Sequence, residues 1–192
     1  MWRVDKVPPD ALRGTQLADT QRMADLPTLV VVSGPPGSGK TTLAHALAPV
    51  IGCPAICRDE IKEGMVHATP GFAPAVEDAL SGRTLPVFFG VLELLLRAGV
   101  STVAEAAFQD RVWRPWLAPL GRLARIRVVH CVVDVEIARD RRLARGRRRA
   151  HADGTDTGGG FERVSIDAPW IEVDTSNGYD PALDGVAAFI NS

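Results

Sequence analysis

The sequence predicts an α/β fold, a parallel sheet covered by helices on both faces, and three observations lead there. Thr28-Leu-Val-Val-Val-Ser33, an apolar and mostly β-branched run, leads directly into Gly34-x-x-x-x-Gly39-Lys40-Thr41. Leu43-Ala-His-Ala-Leu-Ala48 then continues with helical composition, so the glycines sit between a strand and a helix. Beyond it, short β-rich runs alternate with longer helical stretches, which is the pattern of strands joined by helical crossovers.

In chain order, residues 1–27 are polar and carry Pro8-Pro9 and Pro27; they read as an appendage with a weak helix over 11–24, interrupted by Gly14. Residues 28–192 read as one domain. After the first helix, Pro54-Ala-Ile-Cys57 is a short second strand ending at Arg58-Asp59-Glu60-Ile61-Lys62. A helical stretch over 60–67 breaks at Thr69-Pro70-Gly71, and further helices are expected over 75–81 and 85–97. Gly99 ends the latter, and Val100-Ser-Thr-Val-Ala104 is a third strand closing on Glu105. Residues 111–122 are helical but limited by Pro115 and Pro119. Ile126 to Val133 is a fourth strand, 135–145 an Arg-rich amphipathic helix, and 151–160 a glycine-rich loop. Pro169-Trp-Ile-Glu-Val173 is a fifth strand and 181–190 a closing helix. Right-handed crossovers put the C-terminal ends of all these strands on one sheet edge, where ligands bind.

At 192 residues, 46% hydrophobic and 23% charged, the chain has the proportions of an ordinary globular enzyme. Its net charge of −1 supplies no global basic field for nucleic acid. The cations are nonetheless uneven: 19 of 22 are Arg, one of the three lysines is Lys40, and seven arginines fall between Arg139 and Arg149. Cys53, Cys57 and Cys131 lack the paired spacing of a zinc site and read as buried free thiols. His45, His67 and His130 read as structural, without carboxylate neighbours, and Trp113, Trp116 and Trp170 as packing residues. No signal peptide opens the chain and no apolar run looks long enough for a bilayer, so a soluble cytoplasmic protein without membrane contact is expected.

The glycine motif has the pattern of a Walker A phosphate loop. Gly34, Gly37 and Gly39, with Pro35, Pro36 and Ser38 between them, let backbone N–H groups turn inward around a phosphate chain. The helix start at Lys40, Thr41 and Thr42 adds unpaired donors and the positive end of a dipole. Lys40 is placed for the β- and γ-phosphates and the Thr41 hydroxyl for Mg²⁺. Nucleoside triphosphate binding is therefore the first functional expectation.

Asp59, after the second strand, lies on the same edge and has two readings. It can accept the proton of an acceptor hydroxyl, or it can cap the following helix. Lys62, on the same helical face, is suited to an anionic substrate group. Glu105 ends the third strand, where a carboxylate can orient Mg²⁺-bound water; the alternative is an exposed strand end. The arginine run also has two readings. As a lid over about residues 139–160, Arg139, Arg142 and Arg145 lie near one helical face and can neutralise charge on a transferred phosphoryl group. Otherwise the run is a solvated face or a nucleic-acid patch. Asp174 and Thr175 follow the fifth strand, in position for a loop near a nucleotide base.

With Gly34–Thr42, Arg58–Lys62, Val103-Ala-Glu105-Ala-Ala-Phe108 and Ala138–Arg147 in hand, the chain resembles the small P-loop kinases of the AAA-33 type, akin to zeta toxins and chloramphenicol phosphotransferases and similar in layout to polynucleotide 5′-kinase domains. Val173-Asp174-Thr175 is a fainter fifth likeness. The resemblance implies a three-layer α/β/α fold, sheet order 2-3-1-4-5, a Mg·ATP cofactor, Asp59 as activator of an acceptor hydroxyl, and lid arginines Arg142 and Arg145 on the phosphates. Lys62 stands where many relatives have Arg. The expected activity is transfer of the γ-phosphoryl group of ATP to a small-molecule hydroxyl. The rivals are a polynucleotide 5′-hydroxyl kinase and an ATP-dependent switch.

Overall fold

The structure is a computed structural model that describes residues 26–73, 78–144 and 161–192. Its strands are β1 (Thr28–Ser33), β2 (Ala55–Cys57), β3 (Thr102–Glu105), β4 (Arg125–Val132) and β5 (Trp170–Asp174). Its helices are α1 (Lys40–Ile51), α2 (Arg58–His67), α3 (Ala79–Arg97), α4 (Asp110–Leu117), α5 (Val135–Ala144) and α6 (Leu183–Asn191), with a 3₁₀ turn at Ala118–Arg122. All strand pairs are parallel and the order is β2-β3-β1-β4-β5. The fold is therefore the five-stranded α/β arrangement of the P-loop kinases.

β1 explains why its sequence is apolar at every position. Leu29 and Val31 point into a core with Phe88 and Leu92 of α3, Trp113 and Leu117 of α4, and Phe108 between β3 and α4. Val30 and Val32 point to the opposite face, against Leu43 and Leu47 of α1 and Val186 and Ile190 of α6. Alternation thus divides one continuous run between two cores, as a central strand of a covered parallel sheet requires. Each fully buried aliphatic side chain of this kind stabilises the fold by about 1.5–3 kcal/mol. Trp113 packs in the core as expected. Trp116 stacks on Phe89 at 5.2 Å while remaining 40% exposed, and half-exposed Trp170 lies under the Arg163 guanidinium.

Three expectations change. The stretches expected as separate helices over 75–81 and 85–97 are, from Ala79 on, one helix, α3, running through Pro86, while residues 75–77 lie outside the described residues. A mid-helix proline loses one hydrogen bond, but buried Leu80 and Thr84 before it and Phe88 and Phe89 after it hold both parts on the core. That 19-residue helix is also long and apolar enough to cross a bilayer, which the sequence reading excluded because no single run looked long enough. Here its apolar inner face, Phe88, Phe89, Leu92 and Leu96, belongs to the core. Finally, Cys57 and Cys131 are buried free thiols, but Cys53 is only partly covered.

Candidate functional site

Register brings the candidate residues together. Glu105 pairs with Val32 of β1 on one side and Cys57 of β2 on the other, so the C-terminal ends of β1, β2 and β3 lie side by side. The phosphate loop leaves β1 and returns through Gly39, whose φ of 70° is left-handed, into α1. No side chain caps α1, and the N–H groups of its first turn, from Lys40 onward, have no acceptor within the helix. Gly37 is required twice over. Its φ is 87°, and a Cβ there would stand 2.4 Å from the Ala138 carbonyl oxygen of α5.

Lys40 and Thr41 turn toward β3. The Lys40 ammonium lies 3.4 Å from the Pro35 carbonyl and 3.9 Å from Glu105 Oε1, while the Thr41 hydroxyl donates to Glu105 Oε2 at 3.2 Å. Glu105 is 1% exposed, so it is not the exposed strand end that was the alternative reading. Burial pushes its carboxyl above the ordinary value; the Lys40 charge opposes this, and the Asp59 charge adds to it. A hydroxyl and a buried carboxylate converging beside an ammonium is an oxygen donor set that suits Mg²⁺. Ser38 Oγ, buried without a partner among the described residues, lies in the same loop. The open α1 amides, the glycine cradle and this orphaned hydroxyl fit a triphosphate.

Asp59 is not a helix cap. The N-cap of α2 is Cys57, which makes no side-chain capping bond, and Asp59 stands in the first turn. There a carboxylate is stabilised by the helix dipole, and Arg58 Nη1 donates to its Oδ1 at 3.0 Å. Lys62, expected to hold an anionic substrate group, is 3% exposed and donates to Asp78 Oδ2 at 2.8 Å and Ser81 Oγ at 2.9 Å. The contacts brace α2 against the start of α3. Burial opposes ionisation of Asp78, yet the Lys62 ammonium and the Ser81 N–H hold its carboxyl below the ordinary value.

The arginines of α5 separate. Arg139 is two-thirds exposed and faces Glu136 at 3.9 Å. Arg142 is partly covered, and Arg145 lies outside the described residues, as does the rest of the expected lid to residue 160. Arg141, which sequence reasoning passed over, turns to the phosphate loop instead. Its Nη2 donates to the Thr175 carbonyl at 2.7 Å, and its Nη1 lies 3.4 Å from Thr175 Oγ1. Its one sequence signal was a position next to Arg142, on a different flank from the 139-142-145 face. Thr175 is itself buried, and its hydroxyl reaches the Ser38 carbonyl at 2.8 Å, tying the β5 end to the loop. Asp174 accepts from the Ser176 N–H at 2.7 Å, the contact that chiefly lowers its carboxyl's pKa. Asp134 caps α5 by accepting from the Glu136 and Ile137 N–H groups, so the helix starts at a fixed point over Gly37.

Two further residues escaped the sequence reading. Asp110 of α4 accepts from Arg114 and from the Ser165 N–H, which fastens the chain where it returns at residues 161–166. His45 does have a carboxylate neighbour, contrary to expectation: its Nε2 is 2.7 Å from Glu60 Oε1. Helix α1 and helix α2 meet only in three dimensions, so spacing held no sign of it. His130 matches the structural reading, stacked 5.6 Å from Phe161, and burial lowers its pKa.

Comparison with known proteins agrees with this geometry. Uncharacterized proteins of Mycobacterium tuberculosis and Mycobacterium bovis are 27% identical over 148 residues, a match covering 71% of this chain. The match spans only 29% of their own length, so the chain corresponds to less than a third of these curated relatives. A Chloroflexus aurantiacus protein provisionally named a kinase has the same fold, with a TM-score of 0.76, 21% identity, and coverage of 86% of this chain and 97% of that one. The APS kinase CysC of Mycobacterium tuberculosis, solved with AMPPNP and APS, superposes with a TM-score of 0.64 at 16% identity, covering 87% of this chain and 99% of that one. The family model for the AAA domain AAA_33 matches residues 29–157, more than half of the sequence, and the chain belongs to that family.

Proposed function

We propose that this protein is an ATP-dependent kinase that transfers the γ-phosphoryl group to a hydroxyl of a small molecule. The observation that carries the reading is the convergence of Lys40, Thr41 and Glu105 on one sheet edge, with Asp59 at the start of the adjacent helix. Backbone amides from Gly37 to Thr42 would surround the triphosphate, with Lys40 countering charge on its β- and γ-phosphates. Thr41 and Glu105 would hold Mg²⁺, Thr41 by its hydroxyl and Glu105 through water; the ion supplies charge neutralisation on the phosphoryl oxygens. Its charge would also relieve the burial that raises the Glu105 carboxyl.

Asp59 would take the proton of the acceptor hydroxyl as the new O–P bond forms and the bond to the leaving ADP oxygen breaks. Its first-turn position leaves a carboxylate oriented by the helix and by Arg58. Arg142 and Arg145 would neutralise phosphoryl charge from the lid, and Arg141 would hold the Asp174–Ser176 loop beside the nucleotide. Lys62 would act indirectly, by fixing α2 and therefore Asp59 through Asp78.

The APS kinase of the same fold was solved with an ATP analogue, which supports ATP as the donor. The test is to incubate the protein with γ-labelled ATP, Mg²⁺ and a panel of hydroxyl compounds, nucleosides and 5′-hydroxyl oligonucleotides. Label entering a small hydroxyl compound is expected. Label entering only oligonucleotides, with binding that weakens steeply as salt rises, would replace this reading with a polynucleotide kinase. ATP consumption that no hydroxyl compound accelerates would remove the kinase reading.

A further inference from the structure

Beside the end of β2, three side chains of different donor chemistry meet from three elements. His45 comes from α1, Cys57 is the last residue of β2, and Glu60 lies in the first turn of α2. His45 Nε2 is 2.7 Å from Glu60 Oε1 and 3.7 Å from Cys57 Sγ, and all three donor atoms lie within 4.8 Å of one another. The sulfur is buried while His45 and Glu60 are about half exposed, so an ion could enter from solvent onto a fixed thiol.

The distances bear on coordination directly. With Zn–S near 2.3 Å and Zn–N near 2.0–2.1 Å, tetrahedral sulfur and nitrogen ligands stand about 3.6 Å apart, and nitrogen and carboxylate oxygen about 3.4 Å. The Cys57–His45 separation already matches. The His45–Glu60 contact must open by roughly 0.7 Å, a small rotation for two half-exposed side chains. A simple surface ion pair between His45 and Glu60 would be worth little and does not call for a thiol beneath it. Thiolate with imidazole favours zinc-class ions, whereas the oxygen donors of Thr41 and Glu105 favour Mg²⁺.

We infer that His45, Cys57 and Glu60 form a binding site for a zinc-class divalent cation, adjoining the Thr41–Glu105 pair through the contact between the Cys57 thiol and the Glu105 carboxylate but using none of that pair's donor atoms. Three protein ligands leave the fourth position to water or an outside ligand. On binding, the Cys57 thiol releases its proton to solvent and its sulfur bonds the metal. The ion would then staple α1 to α2, the two helices that carry Lys40 and Asp59. Nothing in this inference depends on the kinase reading, and its test reads the metal rather than turnover.

The test is titration of the reduced, metal-free, full-length chain with Co²⁺ in excess Mg²⁺. The expected result is one bound Co²⁺ with a near-ultraviolet thiolate-to-cobalt charge-transfer band and the strong visible bands of tetrahedral cobalt, both removed by Zn²⁺. Cys57→Ala should abolish the charge-transfer band, while Cys53→Ala and Cys131→Ala keep it. His45→Ala and Glu60→Gln should each weaken binding at least about tenfold. Circular dichroism checks the fold of each variant; if Cys57→Ala does not fold, the test rests on the two half-exposed positions. Absence of the charge-transfer band, its survival in Cys57→Ala, or indifference to both His45→Ala and Glu60→Gln overturns the inference.

Discussion

The two sides of the sheet's C-terminal edge are built on opposite principles. On the β1–α1 side, backbone amides and the side chains of Lys40, Thr41 and Glu105 gather around a cradle whose shape glycines keep open. On the α2–α3 side, the strongest polar groups face one another: Lys62, Asp78 and Ser81 close a buried brace with both charged side chains about 5% exposed or less. Asp59 stands in the first turn of α2, where Arg58 donates to its carboxylate. The difference teaches that one side is shaped for a charged ligand common to a whole family of folds. The other is braced internally, with α2 fixed against the start of α3 by buried polar contacts.

Lys40→Ala breaks the first side most severely. Turnover on the acceptor found in the labelling panel should fall by roughly 10³-fold or more, the scale set by cations that serve phosphoryl transfer. Single-turnover assays measure it; an unchanged rate would remove Lys40 from the mechanism. Asp59→Asn tests the partly exposed carboxylate proposed as proton acceptor on the second side. Its kcat should drop by roughly 10²–10⁴-fold, while nucleotide affinity by calorimetry stays at the wild-type value. Full activity in Asp59→Asn would end its role as proton acceptor.

Lys62→Met sharpens the contrast by touching stability before chemistry. It leaves Asp78 buried without its counter-charge, so denaturant unfolding should show a loss of about 3 kcal/mol. A wild-type Tm with a raised KM would mean instead that Lys62 meets the substrate. Asp78 also sets an acid limit. Its depressed carboxyl contributes stability above the unfolded-state value, and that contribution disappears as pH falls through the folded-state value.

Glu105→Gln should give the smallest change in stability and the opposite sign. Because burial raises the Glu105 carboxyl in the folded state, stability falls as pH rises from the ordinary 4.5 through the raised value. The variant should therefore gain relative to wild type at neutral pH, by under about 1 kcal/mol given the opposing loss of the Lys40 contact, and gain little below pH 4.5. Thermal melts across pH measure this. Phosphotransfer should nevertheless be lost. A variant less stable than wild type at neutral pH would show that the Lys40–Glu105 attraction outweighs burial.

Legibility followed the same division. The phosphate loop was readable because strand, glycines, lysine and helix are contiguous, and local backbone chemistry dictates their order. Glu105 was readable because an acidic residue after an apolar strand announces a costly position. The pairing of Lys62 with Asp78 was not legible because that partner lies sixteen residues away, on the far side of a turn. The break expected between residues 81 and 85 is overridden by core packing, with Leu80, Thr84 and Phe88 all buried along one helix. Arg141 looked like one more arginine in a run, and its direction depends on where β5 delivers Thr175.

By itself, then, the amino-acid order determined an alternating α/β chain, the phosphate cradle and the acidic residues at strand ends. These depend on propensity, periodicity and neighbours a few residues apart. Tertiary structure alone decided which charges face a ligand and which face each other. It joined Lys62 to Asp78, Arg141 to Thr175, and His45 to Cys57 and Glu60. Such pairings are set by how helices cross a twisted sheet, and a side chain's partner is whichever group that crossing leaves within hydrogen-bonding reach.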